Sequence, residues 1–285
     1  MIKVKIVTAG LGNQMFSYAF AKSLENKGFD VGIDISGFNP NTWWGGYHLD
    51  QFLINIKILN KKSEFLFKIN RILNRILNQL QLKNPNIIIE KSLAFDPKLL
   101  SPNDNKYMMG YFQSEKYFKE IRGNLIKEFT PRNLSEYSKK IKNLIKSRNN
   151  TCSIHIRRGD FMTEINKSIY ITCGLPYYKL AVKKIEEITG KQQFFIFSDD
   201  IEWAKENLQI QNSKFIDSDI KRSPVEDVYL MSLCDNNIIV NSTFSWWGAW
   251  LNDNSRKKVI SPKKWFLDND LNKKNNIVCK DWITL

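Results

Sequence analysis

Apolar and polar positions alternate at the start of the chain, and that period of two predicts a strand over residues 2–8. The glycine turn Ala9-Gly10-Leu11-Gly12 follows. A helix is expected over residues 13–27, with Gly28 standing where a left-handed cap would stop it. A second strand is expected over residues 31–35, which completes a β-turn-α-β opening. Residues 36–55 lose any period and gather glycine, asparagine and aromatic side chains, among them Trp43-Trp44-Gly45-Gly46-Tyr47-His48. Such a stretch is either a surface excursion or a recognition loop. Between residues 62 and 82, Phe65, Ile69, Ile72, Leu73, Ile76, Leu77 and Leu80 recur at helical spacing, with Lys68, Arg71 and Arg75 opposite. A helix packed on its own domain is the first reading. A basic amphipathic helix that touches a membrane is the second.

The second half has a clearer rhythm. Strand-like apolar runs occupy residues 152–157, 193–198, 214–217, 237–240 and 258–261, with helical segments in the gaps. The helix expected over residues 224–234 opens on Ser223-Pro224-Val225-Glu226, an N-cap serine, a proline at the first helical position and a capping-box glutamate. Strands and helices that alternate at this spacing argue for an α/β fold with a parallel sheet covered on both faces. Two Rossmann-like halves facing a central cleft are expected. The boundary is placed at Asn149-Asn150, giving domains 1–150 and 151–285.

Composition narrows the possibilities. At 285 residues, 42% hydrophobic and 25% charged, the chain has the makeup of a globular protein with enough length for two modest cores. No apolar run reaches the roughly 18 residues of a membrane span. The opening Met1-Ile2-Lys3-Val4-Lys5 enters a strand pattern without signal-peptide regions, so a cytoplasmic location is expected. Cys152, Cys173, Cys234 and Cys279 form no close pair, and His48 and His155 are the two histidines, so reduced thiols and no zinc site are expected. The net charge of +14 suits either a nucleic-acid binder or an enzyme that handles anionic donors near an anionic membrane surface. The basic residues are scattered, with no long block and no aromatic RNA-binding signature, which favours the enzyme.

In open parallel sheets, ligands bind beyond the carboxyl ends of the strands. The residues at those ends in the second half are Arg157-Arg158-Gly159-Asp160, Ser198-Asp199-Asp200, Asp217-Ser218-Asp219 and Asn241-Ser242-Thr243. Alternation puts Ser153, His155 and Arg157 on one face of their strand. Arginine is the side chain best shaped to grip a diphosphate. Arg158 either continues that grip or pairs with Asp160. An Arg–Asp pair that only fixes the loop is the plain alternative. In the first half, Gly10-Leu11-Gly12-Asn13-Gln14 opens a helix whose positive end suits a phosphate. A dinucleotide fingerprint needs glycine where Met15 stands, although Asp34 lies at the right remove, so a nicotinamide-dependent oxidoreductase is weakened as an alternative. The string Asp217-Ser218-Asp219 matches the short metal-binding pattern of another glycosyltransferase class and is read as incidental.

Taken in order, Gly10-Leu11-Gly12-Asn13-Gln14-Met15-Phe16 with Tyr18-Ala19-Phe20, His155-Ile156-Arg157-Arg158-Gly159-Asp160, Phe197-Ser198-Asp199-Asp200 and Asn241-Ser242-Thr243-Phe244-Ser245-Trp246-Trp247-Gly248-Ala249 resemble the motifs of bacterial α-1,2-fucosyltransferases, glycosyltransferase family 11. Partial matches at Gly110-Tyr111-Phe112-Gln113-Ser114-Glu115 and Tyr177-Tyr178 extend the resemblance over nearly the whole chain. It implies the GT-B arrangement, GDP-β-L-fucose as donor, no metal and no other cofactor, inversion at the anomeric carbon, and an α-1,2 linkage to a galactose-containing oligosaccharide or lipid-linked glycan. O-antigen synthesis at the inner face of the cytoplasmic membrane, with peripheral membrane contact and no nucleic acid, is the setting implied. The alternative is another sugar or linkage on the same scaffold.

By the same resemblance Arg157 clamps the diphosphate, with Arg158, Ser198 and Asn241 in the donor site. His155 and Asp199 or Asp200 meet guanine or ribose, Ser242 and Thr243 add phosphate contacts, and Gly10 and Gly12 close from the other domain. Asn13 orients the acceptor. Asp160 is the first candidate for general base, with Glu164, Asp50 and His48 as rivals. Trp43, Trp44, Tyr47 and His48 are assigned to the acceptor. Ala9 replaces the first glycine of the usual turn, harmless if its φ is negative, and Asn236-Asn237 stands where a histidine is common. Trp246, Trp247 and Trp250 are read as core rather than sugar-stacking residues.

Overall fold

The computed structural model describes residues 1–39, 41, 46–59, 85–217 and 222–285. The helix expected over residues 62–82, the indoles of Trp43 and Trp44, and the Ser218-Asp219 end of the short metal-type string lie outside them. Two units result. The first comprises residues 1–50, 54–128 and 275–277; the second comprises residues 51–53, 129–274 and 278–285. The chain therefore passes between units at residue 128, about twenty residues before the boundary expected at Asn149-Asn150. The reason is local. The helix Glu136–Lys146 buries Ile141 and Ile145 and hydrogen-bonds through its N-cap Ser135 to Glu226, within the second unit.

In the first unit β1 (Ile2–Lys5), β2 (Val31–Asp34), β3 (Lys57–Ile58), β4 (Ile87–Ile89) and β5 (Tyr107–Met109) form a fully parallel sheet in the order β3-β2-β1-β5-β4. Helix α1 (Leu11–Asn26) is buried along most of its length, and Gly28 takes the left-handed φ of +91° expected of its stop. Ala9 is not among the positive-φ residues, so its side chain is tolerated as expected. The short α2 (Arg122–Glu128) closes the unit, where Glu128 accepts the Tyr18 hydroxyl at 2.5 Å and pairs with Lys22 at 2.9 Å.

The second unit carries β6 (Thr151–Ile156), β7 (Gln193–Ser198), β8 (Ser213–Phe215), β9 (Asn236–Ile238), β10 (Val259–Ser261) and β11 (Ile283–Thr284), all parallel, in the order β11-β10-β9-β6-β7-β8. Its helices are α3 (Glu136–Lys146), α4 (Glu164–Lys167), α5 (Leu175–Thr189), α6 (Ile201–Asn207), α7 (Pro224–Ser232), α8 (Thr243–Leu251) and α9 (Asn269–Lys274). Every residue of β6 is buried, as befits a central parallel strand covered on both faces. Cys152, Ile154, Ile156, Phe194, Ile196, Ile238 and Ile260 pack with Tyr178, Ala181 and Ile185 of α5. Trp246, Trp247 and Trp250 are at most 3% exposed and stack on one another, which is the core role expected of them. The four cysteines are buried and none is in a disulfide among the described residues.

Candidate functional site

The second sheet is doubly wound. From β6 the chain runs outward through β7 to β8, then returns to β9 on the other side of β6 and continues through β10 to β11. The crevice between the carboxyl ends of β6 and β9 is thus a topological switch point, where no crossover covers the sheet edge. Arg157-Arg158-Gly159-Asp160 leave β6 at this point, and Asn241-Ser242 lead from β9 into α8.

Three carboxylates aim the two arginines. Arg157 places Nη2 2.6 Å from Asp160 Oδ1 and Nη1 3.0 Å from Asp199 Oδ2. Arg158 places Nε 3.1 Å from Asp200 Oδ2, donates its backbone N–H to Asp199 Oδ1 at 2.8 Å, and lays its guanidinium 3.9 Å from the ring centre of Trp203. Asp160 is thus the partner of Arg157, and the pairing of Arg158 with Asp160 does not occur. The alternation that keeps Arg157 on the His155 face turns Arg158 toward α6. Asp200 also caps α6 by accepting the Trp203 N–H at 3.2 Å, and its own N–H donates to Ser198 Oγ at 2.9 Å. A Cβ on Gly159 would lie 2.8 Å from Asp199 Oδ2, so only glycine lets the carboxylate approach this turn. Asp199, Asp200 and Ser198 therefore act first on the arginines and their loop.

His155 is 4% exposed, its ring 5.4 Å from that of Phe244. Burial first, and the neighbouring Arg157 charge second, pull its pKa down to about 3, so the imidazole is neutral. Its Nδ1 meets no hydrogen-bond partner among the described residues, an uncommon state for a buried nitrogen. Ser242 caps α8 by accepting the Phe244 N–H at 3.3 Å, and Ser242 and Thr243 stand half-buried at the helix's positive end. Asn241 differs from the expectation. It is 3% exposed and donates both amide N–H bonds to carbonyls of Ile171 and Trp265, at 2.7 and 2.8 Å, while its Oδ1 faces the Cys173 thiol at 3.8 Å. Its side chain ties two loops together and has no free N–H for a ligand. Asn237, expected as a departure from the family pattern, is likewise internal, donating to Ser153 Oγ at 2.7 Å.

In the first unit the switch point lies between β1 and β5. There Asn13 is the one residue of the first ten in α1 that is not buried, and its Oδ1 accepts the Gln113 Nε2–H at 2.7 Å. Gln14, fully buried, donates to the carbonyls of Ala9 and Gly46, both at 2.8 Å, and accepts the His48 N–H at 3.0 Å. It clips the glycine turn to the loop that carries Tyr47 and His48. Gly10 N-caps α1 with no atom within 4 Å of the place a Cβ would take, and Gly12 is buried inside the helix. His48 is 9% exposed, while Asp50 and Glu164 stand on the surface, Glu164 beside Lys167 at 3.4 Å. Asp34 is not available to a ribose. It is 1% exposed, accepts the Tyr107 hydroxyl at 2.5 Å and lies 3.8 Å from Lys5. Burial would raise its pKa, but Tyr107, Ser36 and Lys5 outweigh burial and lower it. That removes the acidic residue on which the nicotinamide alternative depended. Gln14, Gln113 and Trp203 were not singled out in the sequence. The two glutamines lie inside the quoted motif strings, whereas no spacing marks Trp203.

The fold and this edge define an α/β protein with an arginine pair at a switch-point strand end, suited to an anionic group. Comparison with known proteins gives the class its name. The description of glycosyl transferase family 11 matches residues 46–285. An α-1,2-colitosyltransferase of Escherichia coli is 35% identical over 95% of this chain and 94% of its own length. The O-antigen biosynthesis glycosyltransferase WbnK of Escherichia coli is 33% identical over 98% of this chain and 99% of its own. A crystal structure of NodZ α-1,6-fucosyltransferase soaked with GDP-fucose aligns over 88% of this chain and 91% of that one, at 14% identity and a TM-score of 0.48. The chain belongs to glycosyl transferase family 11 and is a glycosyltransferase. Among the described residues no helix is long and apolar enough to cross a membrane, and no group of three or more histidine, cysteine or acidic side chains is placed to hold a metal ion.

Proposed function

We propose that this glycosyltransferase moves L-fucose from GDP-β-L-fucose to the 2-hydroxyl of a galactoside, in the synthesis of an O-antigen or similar surface glycan. Transfer inverts the anomeric carbon, forms an α-1,2 linkage and needs no metal ion. The observation that carries the reading is the Arg157-Arg158 pair at the β6/β9 switch point, held by Asp160, Asp199 and Asp200 beside the N-terminus of α8. The bound diphosphate carries two negative charges and gains a third as the bond to the sugar breaks, and preorganised guanidiniums stabilise that developing charge without a metal.

In this reading the second unit binds the donor. Arg157 grips the diphosphate with Arg158 alongside, and Ser242 and Thr243 meet a phosphate at the helix end. The orphaned Nδ1 of His155 supports a neutral hydrogen bond to guanine or ribose. Asn241 keeps the β9–α8 turn in place. The first unit serves the acceptor through Asn13 and the loop of Trp43, Trp44, Tyr47 and His48, and Gly10 and Gly12 leave room for a phosphate. The acceptor's 2-oxygen attacks the anomeric carbon as the bond to the diphosphate oxygen breaks. When the diphosphate takes Arg157, Asp160 is released from its ion pair and accepts the hydroxyl proton.

A second reading concerns the donor sugar. Colitose is L-fucose without its 3-hydroxyl, and the relative at 35% identity carries colitosyltransferase in its name. Turnover of GDP-fucose and GDP-colitose on lactose, with EDTA present, separates the two. An α-1,2-fucosyl product from the wild type, lost by at least about 100-fold in Arg157→Ala, supports the proposal. Turnover of GDP-colitose alone assigns the other donor. No transfer with either, and no thermal shift with GDP, overturns the donor-site reading.

A further inference from the structure

The loops that follow β6 and β10 carry exposed aliphatic side chains on the same carboxyl side of the second sheet as the arginine pair. Ile165 is 75% exposed, Leu267 53%, Ile169 41%, and Met162 and Leu271 38% each. Ile165 lies in α4 and Ile169 just beyond it, and Leu267 just precedes α9, which carries Leu271. The turns are joined, because the Leu267 N–H donates to the Ile169 carbonyl at 2.9 Å and Tyr170 bridges to Phe266.

Beneath them the structure is firm. Phe161 stacks on Tyr170 at 5.0 Å and Tyr170 packs on Phe266 at 5.6 Å, with Trp265 and Phe266 buried. Asn272 accepts the N–H groups of both Trp265 and Phe266, at 2.9 and 3.1 Å, and pins the second loop. The aliphatic groups are thus displayed on a platform of buried rings. The same two segments, residues 159–174 and 262–274, carry Lys167, Lys263, Lys264, Lys273 and Lys274 against Asp160, Glu164, Asp268 and Asp270, five cations to four anions, with Asp160 already held by Arg157.

We propose that this surface seats the protein on an anionic phospholipid bilayer, with the aliphatic side chains in the headgroup–acyl boundary and the lysines among the lipid phosphates. Small aliphatic studs with a basic rim match the composition of an interfacial membrane contact. A protein interface would instead present aromatic anchors, and here the rings are turned inward. The proposal does not depend on which sugar is transferred.

Flotation with phosphatidylcholine vesicles, with and without phosphatidylglycerol, tests it. The expected result is binding to the anionic vesicles, weakened by salt. The double variant Ile165→Glu/Leu267→Glu should lower partitioning at least tenfold, and Lys273→Glu/Lys274→Glu should lower it several-fold. Both variants should keep the wild-type melting temperature and far-ultraviolet circular dichroism. Equal flotation of wild type and the Ile165→Glu/Leu267→Glu variant overturns the proposal. So does the absence of binding by wild type. Loss of a concentration-dependent dimer in that variant, measured by light scattering without vesicles, assigns the surface to a second copy of the chain and also overturns it.

Discussion

At the scale of single residues, the arginine pair and its carboxylates decide what the site can do. Asp160 has two tasks in the proposed cycle, aiming Arg157 before the donor arrives and taking a proton afterwards. Asp160→Asn should lower kcat by about 100-fold or more while the donor KM moves little. A raised donor KM with kcat preserved would assign Asp160 to positioning alone. His155 offers a second test. Its folded pKa of about 3 lies below its ordinary value of 6.5, so below pH 6.5 the unfolded chain takes up a proton that the folded protein refuses. Its contribution to stability is therefore complete above pH 6.5 and is lost as pH falls toward 3, on the order of a few kcal/mol. His155→Asn should flatten the fall of melting temperature between pH 6.5 and 4, measured by calorimetry in matched buffers. An unchanged slope would show that the histidine does not govern it. The arginines, His155 and Asp160 were legible from strand alternation and the carboxyl-end rule. Their pairing was not, because a dipeptide of arginines does not say which turns toward α6. Nor was the internal use of Asn241, since an asparagine at a strand end reads the same whether it meets a ligand or a carbonyl.

Elements were easier to read where local chemistry marks their ends. The opening of α7 carries every signal it was expected to have. Ser223 caps the helix, Pro224 begins it, and Glu226 Oε1 accepts the Ser223 N–H at 3.1 Å. The structure adds a second duty. Glu226 Oε2 accepts both the N–H and the hydroxyl of Ser135, at 2.9 and 2.7 Å, so one carboxylate caps α7 and steadies the start of α3. Burial alone would raise its pKa, but the nearby Ser138 hydroxyl and the hydrogen bonds from Ser135 and Ser223 outweigh burial and hold it below 4.5. Glu226→Ala should cost about 2–3 kcal/mol in urea unfolding at pH 7. Because a lowered carboxylate pKa stabilises only above the unfolded value, that difference should shrink as pH falls below about 4.5. The strands β7 and β10 appeared close to their expected limits. The two- and three-residue strands of the first unit did not, for β3, β4 and β5 are too short to display a period. They pair because β1 and β2 supply a template.

For the whole molecule, the sequence revealed two α/β halves but misplaced the division. No composition change marks residue 128, and the asparagine pair at 149–150 sits in an ordinary turn. Nor does anything in the sequence announce that three residues from the first half, 51–53, belong to the second unit. Phe52 is fully buried there, bridging to Pro131 and packing 5.2 Å from Phe129, whose ring in turn meets Trp247 at 5.1 Å. Phe52→Ala should cost about 3–5 kcal/mol. Its signature in hydrogen exchange would be faster exchange in α8, with the amides of β1 and β2 unaffected. Equal acceleration in both would contradict the division.

The interleaving also bears on how such enzymes can be recombined. A chimera made with a relative by a single crossover after residue 128 would give the second unit a foreign 51–53 and the first a foreign 275–277, where Ile277 is buried. Exchanging whole units requires five junctions. Specificity in this lineage is therefore more readily altered by substitutions within loops than by swapping halves, and libraries built to change donor or acceptor should be designed by loop grafting.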